Sequence, residues 1–536
     1  MAIWLLIFFA LALALPVLSV LGAWLALDST AWAQWQHLLD TVLPGYAAQT
    51  AVLALGVGLG TLVVGGASAA LVSLFEFRGR RFWDVALLLP MAMPAYVAAY
   101  AYTDALQFSG PLQTALRETY GWQGALWGDV RSLPGAGVLF VACLYPYVYL
   151  LTRTALAERA APLMEAARLL GASLPRRVLE VAMPLARPAL AAGVMLALME
   201  TLADYGVGSY FGLSTLSTGI YKAWLVQNDR FAAAQLASVL LAVVVLCLVA
   251  ERRAQARLRF AQVRAAAPGG GRQPLHGAFA LLAHLLLAVP LLLGFVLPVL
   301  VLLRMVWLEA KYGELEQPWV RFFDAAGNSL QLALLGALLT LLVALLLSAA
   351  QRLSPGRGGV RQRAVAAANA LVGLGYAVPG AVIAIGLLLP LVWLRDFLPG
   401  LTVWITGTVA GLLMAYMVRF SGVALQTVQS GYARVPLTLD DSARLLGHTG
   451  GRLWWSVHRP LLQRSALAAA LLVFVDVMKE LPATLVLRPF DSDTLAVSAY
   501  QLARDERLAE AALPALAIVL VGLLPVLLLW RAMRLR

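Results

Sequence analysis

Four acidic residues sit where acids are rare. Glu200 and Asp204 lie in "LALMETLADYG", and Asp476 and Glu480 lie in "LVFVDVMKELP", each inside an apolar segment. An ionisable group at membrane depth is costly and is a functional candidate by default. Each pair is spaced i,i+4, so a continuous helix would carry both carboxylates on one face. The pairs correspond at an offset of 276 residues, Glu200 to Asp476 and Asp204 to Glu480. Oxygen ligands suit hard cations, whereas thiolates suit softer metals. The expected chemistry is a surface that passes a hard cation without gripping it, because a tight site hinders release. The structural alternative is that these acids pair with Lys479 or with arginines, or bond neighbouring helices. No metal is identified by the residues alone.

Other chemistries lack their residues. The five histidines (His37, His276, His284, His448 and His458) show no HxxxH or HExxH spacing, and no GxSxG-type constellation is present. Cys143 and Cys247 both fall in apolar segments, so no disulfide framework or CxxC site exists. A phosphate-binding loop needs Gly-Lys, yet Lys222, Lys311 and Lys479 follow Tyr, Ala and Met. This chain is therefore expected to bind no nucleotide by such a loop.

The elements that position these residues are read from composition. The chain has 536 residues, of which 61% are hydrophobic and 13% charged. Soluble domains carry roughly 25% charged residues, and a single soluble core stops growing at roughly 250–300 residues. The surplus apolar sequence must face lipid. Twelve segments read as spans: 3–27, 49–75, 84–107, 134–156, 187–205, 231–250, 278–304, 328–350, 366–394, 399–418, 465–485 and 511–530. The first lacks a preceding Lys or Arg and is too long for a signal-peptide core, so it reads as an uncleaved span.

Net charge is +12. Its placement indicates topology rather than a nucleic-acid partner. One alternate set of connections (76–83, 152–187, 251–275, 351–363, 419–464 and the tail from 531) carries 28 Lys and Arg; the other carries 10. The basic set is cytoplasmic by the positive-inside rule, which places both termini inside.

A basic, Pro/Gly-rich stretch at 251–274 interrupts the apolar pattern halfway and reads as a cytoplasmic linker, flexible around Gly269–Gly271. It separates a first transmembrane domain, 1–250, from a second, 275–536. Residues 165–190 match 441–466 at nine of 26 positions, including "ARLLG" letter for letter. Six spans per half is an even number, so the halves are parallel repeats with a pathway expected between them.

The repeated loops span 158–187 and 430–464. Each reads as two short helices. Pro162 and Pro436 suit helix starts, Gly171 and Gly447 suit left-handed ends, and Ser173 and Thr449 suit caps of the second helices. In both, an acid lies six residues before the Gly and a Pro lies thirteen after it. The small residues Ala166, Ala167, Ser442 and Ala443 permit close approach by another surface. Amphipathic helices lying on the bilayer are the alternative.

At this point the sequence resembles a family. Glu165-Ala166-Ala167, Gly171 and Pro184 resemble the E-A-A-x3-G coupling-loop motif of ATP-binding-cassette importer permeases. The second copy departs to Asp441-Ser442-Ala443 but keeps Gly447 and Pro460, with His448, Trp454 and Trp455 nearby. Segments 88–106, 200–224, 375–391 and 474–490 look like the fused permeases of bacterial ferric-iron importers. The resemblance implies an all-α polytopic fold of the type I importer kind, in a bacterial inner membrane. It implies a cytoplasmic ATPase dimer docked at the two loops, with ATP used there and no cofactor on this chain. It also implies a periplasmic binding protein delivering cargo, with loops 206–230 and 486–510 as docking surfaces. Their Gly, Tyr and Trp content equally suits an interfacial belt.

Pro90 and Pro94 in "LLPMAMP", and Pro379-Gly380 in "YAVPGAVIAIG", are expected to kink or break their helices beside the pathway. Thiamine, polyamine or oxyanion cargo, and an ion-gradient-driven carrier, are the rival readings.

Overall fold

The computed structural model describes residues 2–26, 29–260, 272–312, 318–353 and 360–534. The chain is helical almost throughout. A two-residue parallel bridge is the exception among these residues, pairing Phe75 with Gln273 and Glu76 with Pro274. Nine described helices are long and apolar enough to span a bilayer, or up to eleven if two bent pairs each count as one span. The N-terminal segment contributes a shorter apolar helix, Phe9–Leu25.

Several expected boundaries move. Segments 84–107 and 366–394 are not single helices. Arg80–Ala92 meets Ala95–Tyr120 at 90°, and Gln362–Ala377 meets Gly380–Val392 at 117°. Each break follows a 3-10 turn and an extended residue, Met93 or Val378, with Pro94 and Pro379 at the N-caps of the next helices. Proline has no N–H to continue a ladder and disfavours helix in the residue before it. The span expected at 399–418 becomes a short helix, Pro399–Gly407, and a long one, Val409–Tyr432. Arg419 therefore lies inside a helix rather than in a basic connection. The helix Arg230–Phe260 also runs ten residues into the expected linker. Gly269–Gly271 lie outside the described residues.

Contacts divide the chain into two compact units. The first comprises 1–38, 220–241 and 316–498; the second comprises 39–219, 242–315 and 499–536. Each draws on both sequence halves. In the first unit, Pro318–Leu353, Val409–Tyr432 and Arg459–Met478 pack on one another, and Ala2–Gly22 packs on Gly380–Leu394. In the second, Leu43–Leu74, Leu133–Leu169 and Met183–Ala203 pack on one another, and Leu297–Tyr312 packs on Leu508–Arg534. The three-helix cores correspond element for element at the spacing of the sequence repeat.

Without water between them, membrane helices gain by close packing of small residues. In the second unit this occurs around Val148. A Cβ on Gly193 would lie 2.6 Å from the Val148 Cα, and one on Gly65 would lie 2.7 Å from the Val148 Cβ. The two glycines let two helices close on a third. Overpacking such a contact costs about 1–3 kcal/mol. Gly193→Ala is therefore expected to lower the thermal midpoint of the solubilised chain. Gly56→Ala, where an added Cβ meets nothing within 4 Å, is expected to leave it unchanged or raise it; equal midpoints for both variants would contradict this packing.

Candidate functional site

The apolar carboxylates are placed first. The helix carrying Glu200 ends at Ala203, and the helix carrying Asp476 ends at Met478. Asp204 and Glu480 thus lie beyond their helices, and the expected shared face does not form. Each acid instead caps the short helix that follows. Asp204 accepts the Val207 N–H at 2.8 Å, at the head of Gly206–Tyr210. Glu480 accepts the Ala483 and Thr484 N–H groups, both at 2.9 Å, at the head of Pro482–Leu487. The sequence carried this signal: an acid immediately before "YGVG" and "LPAT" is a capping pattern.

Glu480 is buried, and it also pairs with Arg419 at 3.1 Å. Thr484 donates its hydroxyl to the same carboxylate and meets the Tyr416 hydroxyl at 2.8 Å. The break at Pro379–Gly380 brings backbone against this pair: a Cβ on Gly380 would fall 2.5 Å from an Arg419 guanidinium nitrogen and 2.8 Å from Glu480 Oε1. Charge counting assigned Arg419 to a loop and so missed it. Lys479 pairs with Asp476 at 2.9 Å, the structural alternative stated for that residue. Glu200, half-buried, stays within its helix. Among the described residues, no group of three or more His, Cys, Asp or Glu could hold a metal ion.

The repeated loops have the same local geometry. Gly171 and Gly447 adopt φ of 80° and 82°, where glycine is favoured. In the first loop the Gly171 N–H reaches the Arg168 carbonyl and the Ala172 N–H reaches the Ala167 carbonyl. In the second, Gly447 reaches Arg444 and His448 reaches Ala443. This is the Schellman arrangement, which satisfies carbonyls a helix end leaves open. Glu165 pairs with Arg168 at 3.8 Å and Asp441 with Arg444 at 3.2 Å. The leucines before each Gly are turned outward: Leu169 and Leu170 are 81% and 88% exposed, and Leu445 and Leu446 are 90% and 79% exposed. Ala166 and Ser442 are exposed, while Ala443 is buried.

Both loops pass into their spans through a π-helical segment, Arg177–Ala182 or Trp454–His458. Pro184 and Pro460 follow at the starts of Met183–Ala203 and Arg459–Met478. A proline cannot donate to the carbonyl four residues back, and the helix widens to pass it. The expected pair of short helices appears only in the second loop. In the first, one helix runs unbroken from Leu133 to Leu169, so Pro162 is internal to it. Pro436 is an N-cap rather than a first helical residue, and Ser173 and Thr449 hold cap positions without a side-chain cap bond.

The loops differ in their anchors. The residue before the motif acid is Met164 in the first and Asp440 in the second. Met164 is buried in an apolar cluster with Leu74, Trp83 and Leu156. Asp440 is 2% exposed and bonded to Arg352 at 2.7 Å and His458 Nε2 at 3.0 Å. Burial alone would raise its pKa, but the hydrogen bonds and charges of Arg352 and His458 outweigh it and hold the carboxyl below its ordinary value. Arg352 also donates to the Val435 and Pro436 carbonyls, fixing the chain entering the loop. Removing one partner of a buried pair costs about 3–5 kcal/mol. Asp440→Ala is expected to speed amide exchange across 436–447 while leaving 163–171 unchanged. Equal exchange in variant and parent would show that the pair does not hold the loop.

Residues 62–258 match the family described as "Binding-protein-dependent transport system inner membrane component". That stretch contains Glu165, Gly171 and Pro184. The chain is 26% identical over 493 residues to the Fe(3+)-transport system permease protein FbpB 2 of Haemophilus influenzae, covering 90% of this chain and 88% of that protein. It is 26% identical over 263 residues to the sulfate transport system permease protein CysT of Salmonella typhimurium, covering 47% of this chain and 90% of that protein. It is 24% identical over 209 residues to the putative 2-aminoethylphosphonate transport system permease protein PhnU of Salmonella choleraesuis, covering 38% and 73% respectively. With its apolar spans and its twice-written loop, this chain is similar to the inner-membrane permeases of binding-protein-dependent importers.

Proposed function

We propose that the chain is the permease of a ferric-iron importer. The observation that carries this reading is coverage. The iron permease aligns with 90% of the chain, whereas the sulfate and aminoethylphosphonate permeases align with 47% and 38%. Similarity to the sulfate permease favours an oxyanion as the second reading.

In this proposal two ATP-binding subunits dock at the loops, which face the cytoplasm with both termini, and ATP is hydrolysed there. A binding protein delivers cargo at the opposite face. The outward leucine pairs supply apolar contact and the Schellman turns hold them rigid. Glu200 and Asp476, within their spans, contact the cation pathway. Asp204 and Glu480 shape it by holding the ends of broken helices.

Cargo is tested by uptake of labelled ferric iron in a deletion strain complemented with this chain, against sulfate, phosphonate, thiamine and polyamine. Iron uptake is expected; uptake of another cargo with no iron uptake would overturn the proposal. Coupling is tested at the loop turns. Gly171→Val or Gly447→Val places a β-branched residue at positive φ, at a cost of about 1–2 kcal/mol or more. Membrane insertion is expected to persist while uptake falls at least tenfold, and normal uptake by both variants would remove the loops from the mechanism.

A further inference from the structure

A cluster of hydroxyls lies in the second unit, at the end of the Met183–Ala203 span remote from its loop. Ser209 Oγ lies 2.7 Å from the Tyr500 hydroxyl and 3.2 Å from the Tyr205 hydroxyl, and the two phenols are 3.3 Å apart. Tyr205 and Tyr500 are 8% and 1% exposed. Three oxygens thus form a closed triangle within protein.

The triangle has the dimensions of one face of a coordination octahedron. Small octahedral cations hold oxygen ligands at about 2.0–2.1 Å, which sets adjacent ligand oxygens about 2.9 Å apart. The three observed edges bracket that value. Phenolate and hydroxyl oxygens are hard donors, of the class that hard, highly charged cations prefer.

A second observation points to a ligand. Tyr100 is fully buried, and among the described residues its hydroxyl has no hydrogen-bond partner. An unsatisfied buried hydroxyl is destabilising and calls for an explanation such as an ion or water. Its electrostatic neighbours include Tyr500 and Asp204, and its ring packs on Tyr210 at 4.8 Å between centroids. Arg131 lies over the Tyr210 ring but is paired with Glu506 at 3.6 Å.

We propose that Tyr205, Tyr500 and Ser209, with Tyr100 beside them, form a transient binding station for a trivalent hard cation. The proposal rests on the ferric reading given above for its cargo. The two phenols give up their protons to solvent as the cation–oxygen bonds form. The oxidation state does not change and no bond of the chain breaks. Partial ligation by one face leaves the remaining positions for water or a carrier anion, and this permits release.

The test uses the full-length chain in lipid nanodiscs, titrated with ferric nitrilotriacetate, alongside cellular iron uptake. A ferric–phenolate charge-transfer absorption is expected. It should disappear in the double variant Tyr205→Phe, Tyr500→Phe, and persist in Tyr120→Phe, whose ring is exposed. Phenylalanine keeps ring packing, and Ser209→Ala provides a second variant that removes one oxygen without an aromatic change; it should weaken binding about tenfold. Iron uptake by the parent without the absorption, or absorption and uptake retained in the double variant, overturns the station and leaves the cargo reading standing. Absorption without cellular uptake supports the station and overturns the cargo reading. Neither signal overturns both.

Discussion

Hydrocarbon offers no water to an open N–H or carbonyl, so a helix broken at membrane depth must find its hydrogen bonds within the protein. This chain breaks its apolar helices at Met93–Pro94, Asp204, Val378–Pro379 and Glu480. Two breaks use proline, which removes a donor at the point where the ladder is interrupted. The other two use a carboxylate, which accepts the N–H groups that the next helix leaves open. The placement of Arg419 follows from the same constraint. A buried carboxylate that also caps backbone needs a cation to offset its charge, and Arg419 supplies it to Glu480.

The repeat is preserved in architecture more than in side-chain chemistry. The three-helix cores, the Schellman turns, the π-helical segments and the i,i+3 ion pairs recur in both copies. So does a hydroxyl that fixes the loop after each capped short helix: Thr50 Oγ1 accepts the Leu216 N–H at 3.0 Å, and Ser329 Oγ accepts the Leu495 N–H at 2.7 Å, both across 166 residues of sequence. Backbone geometry is shared because the same turns must be closed in each copy. The buried partners that hold those turns have diverged.

The loops were legible in the sequence because a left-handed turn demands glycine, and a span following it by a fixed distance demands a proline at one place. Gly171, Gly447, Pro184 and Pro460 therefore announced themselves. The proline breaks were legible for the same reason. The acids were read less well. An i,i+4 spacing places Glu200 with Asp204, and Asp476 with Glu480, only if the helix continues through both, and composition alone does not state where an apolar helix stops. Arg419 was misplaced because charge marked a boundary where a buried partner in fact allowed the helix to continue. The exposed leucine pairs were hidden in plain letters, since an apolar residue in an apolar chain carries no signal of its orientation. Tyr205 and Ser209 stand four residues apart, but Tyr500 lies 291 residues beyond Ser209, and only the fold brings it to them.

The unequal anchors of the two loops make them respond to different conditions. Met164 is held by apolar contact, whose strength fades on cooling. Asp440 is held by charge, and its carboxyl titrates below the ordinary value of about 3.9. Its contribution is therefore complete at neutral pH and lost only as acid takes the pH down through that lowered value. Cold slackens one grip and strong acid the other, so a molecule built from a duplication has become two handles with separate weather.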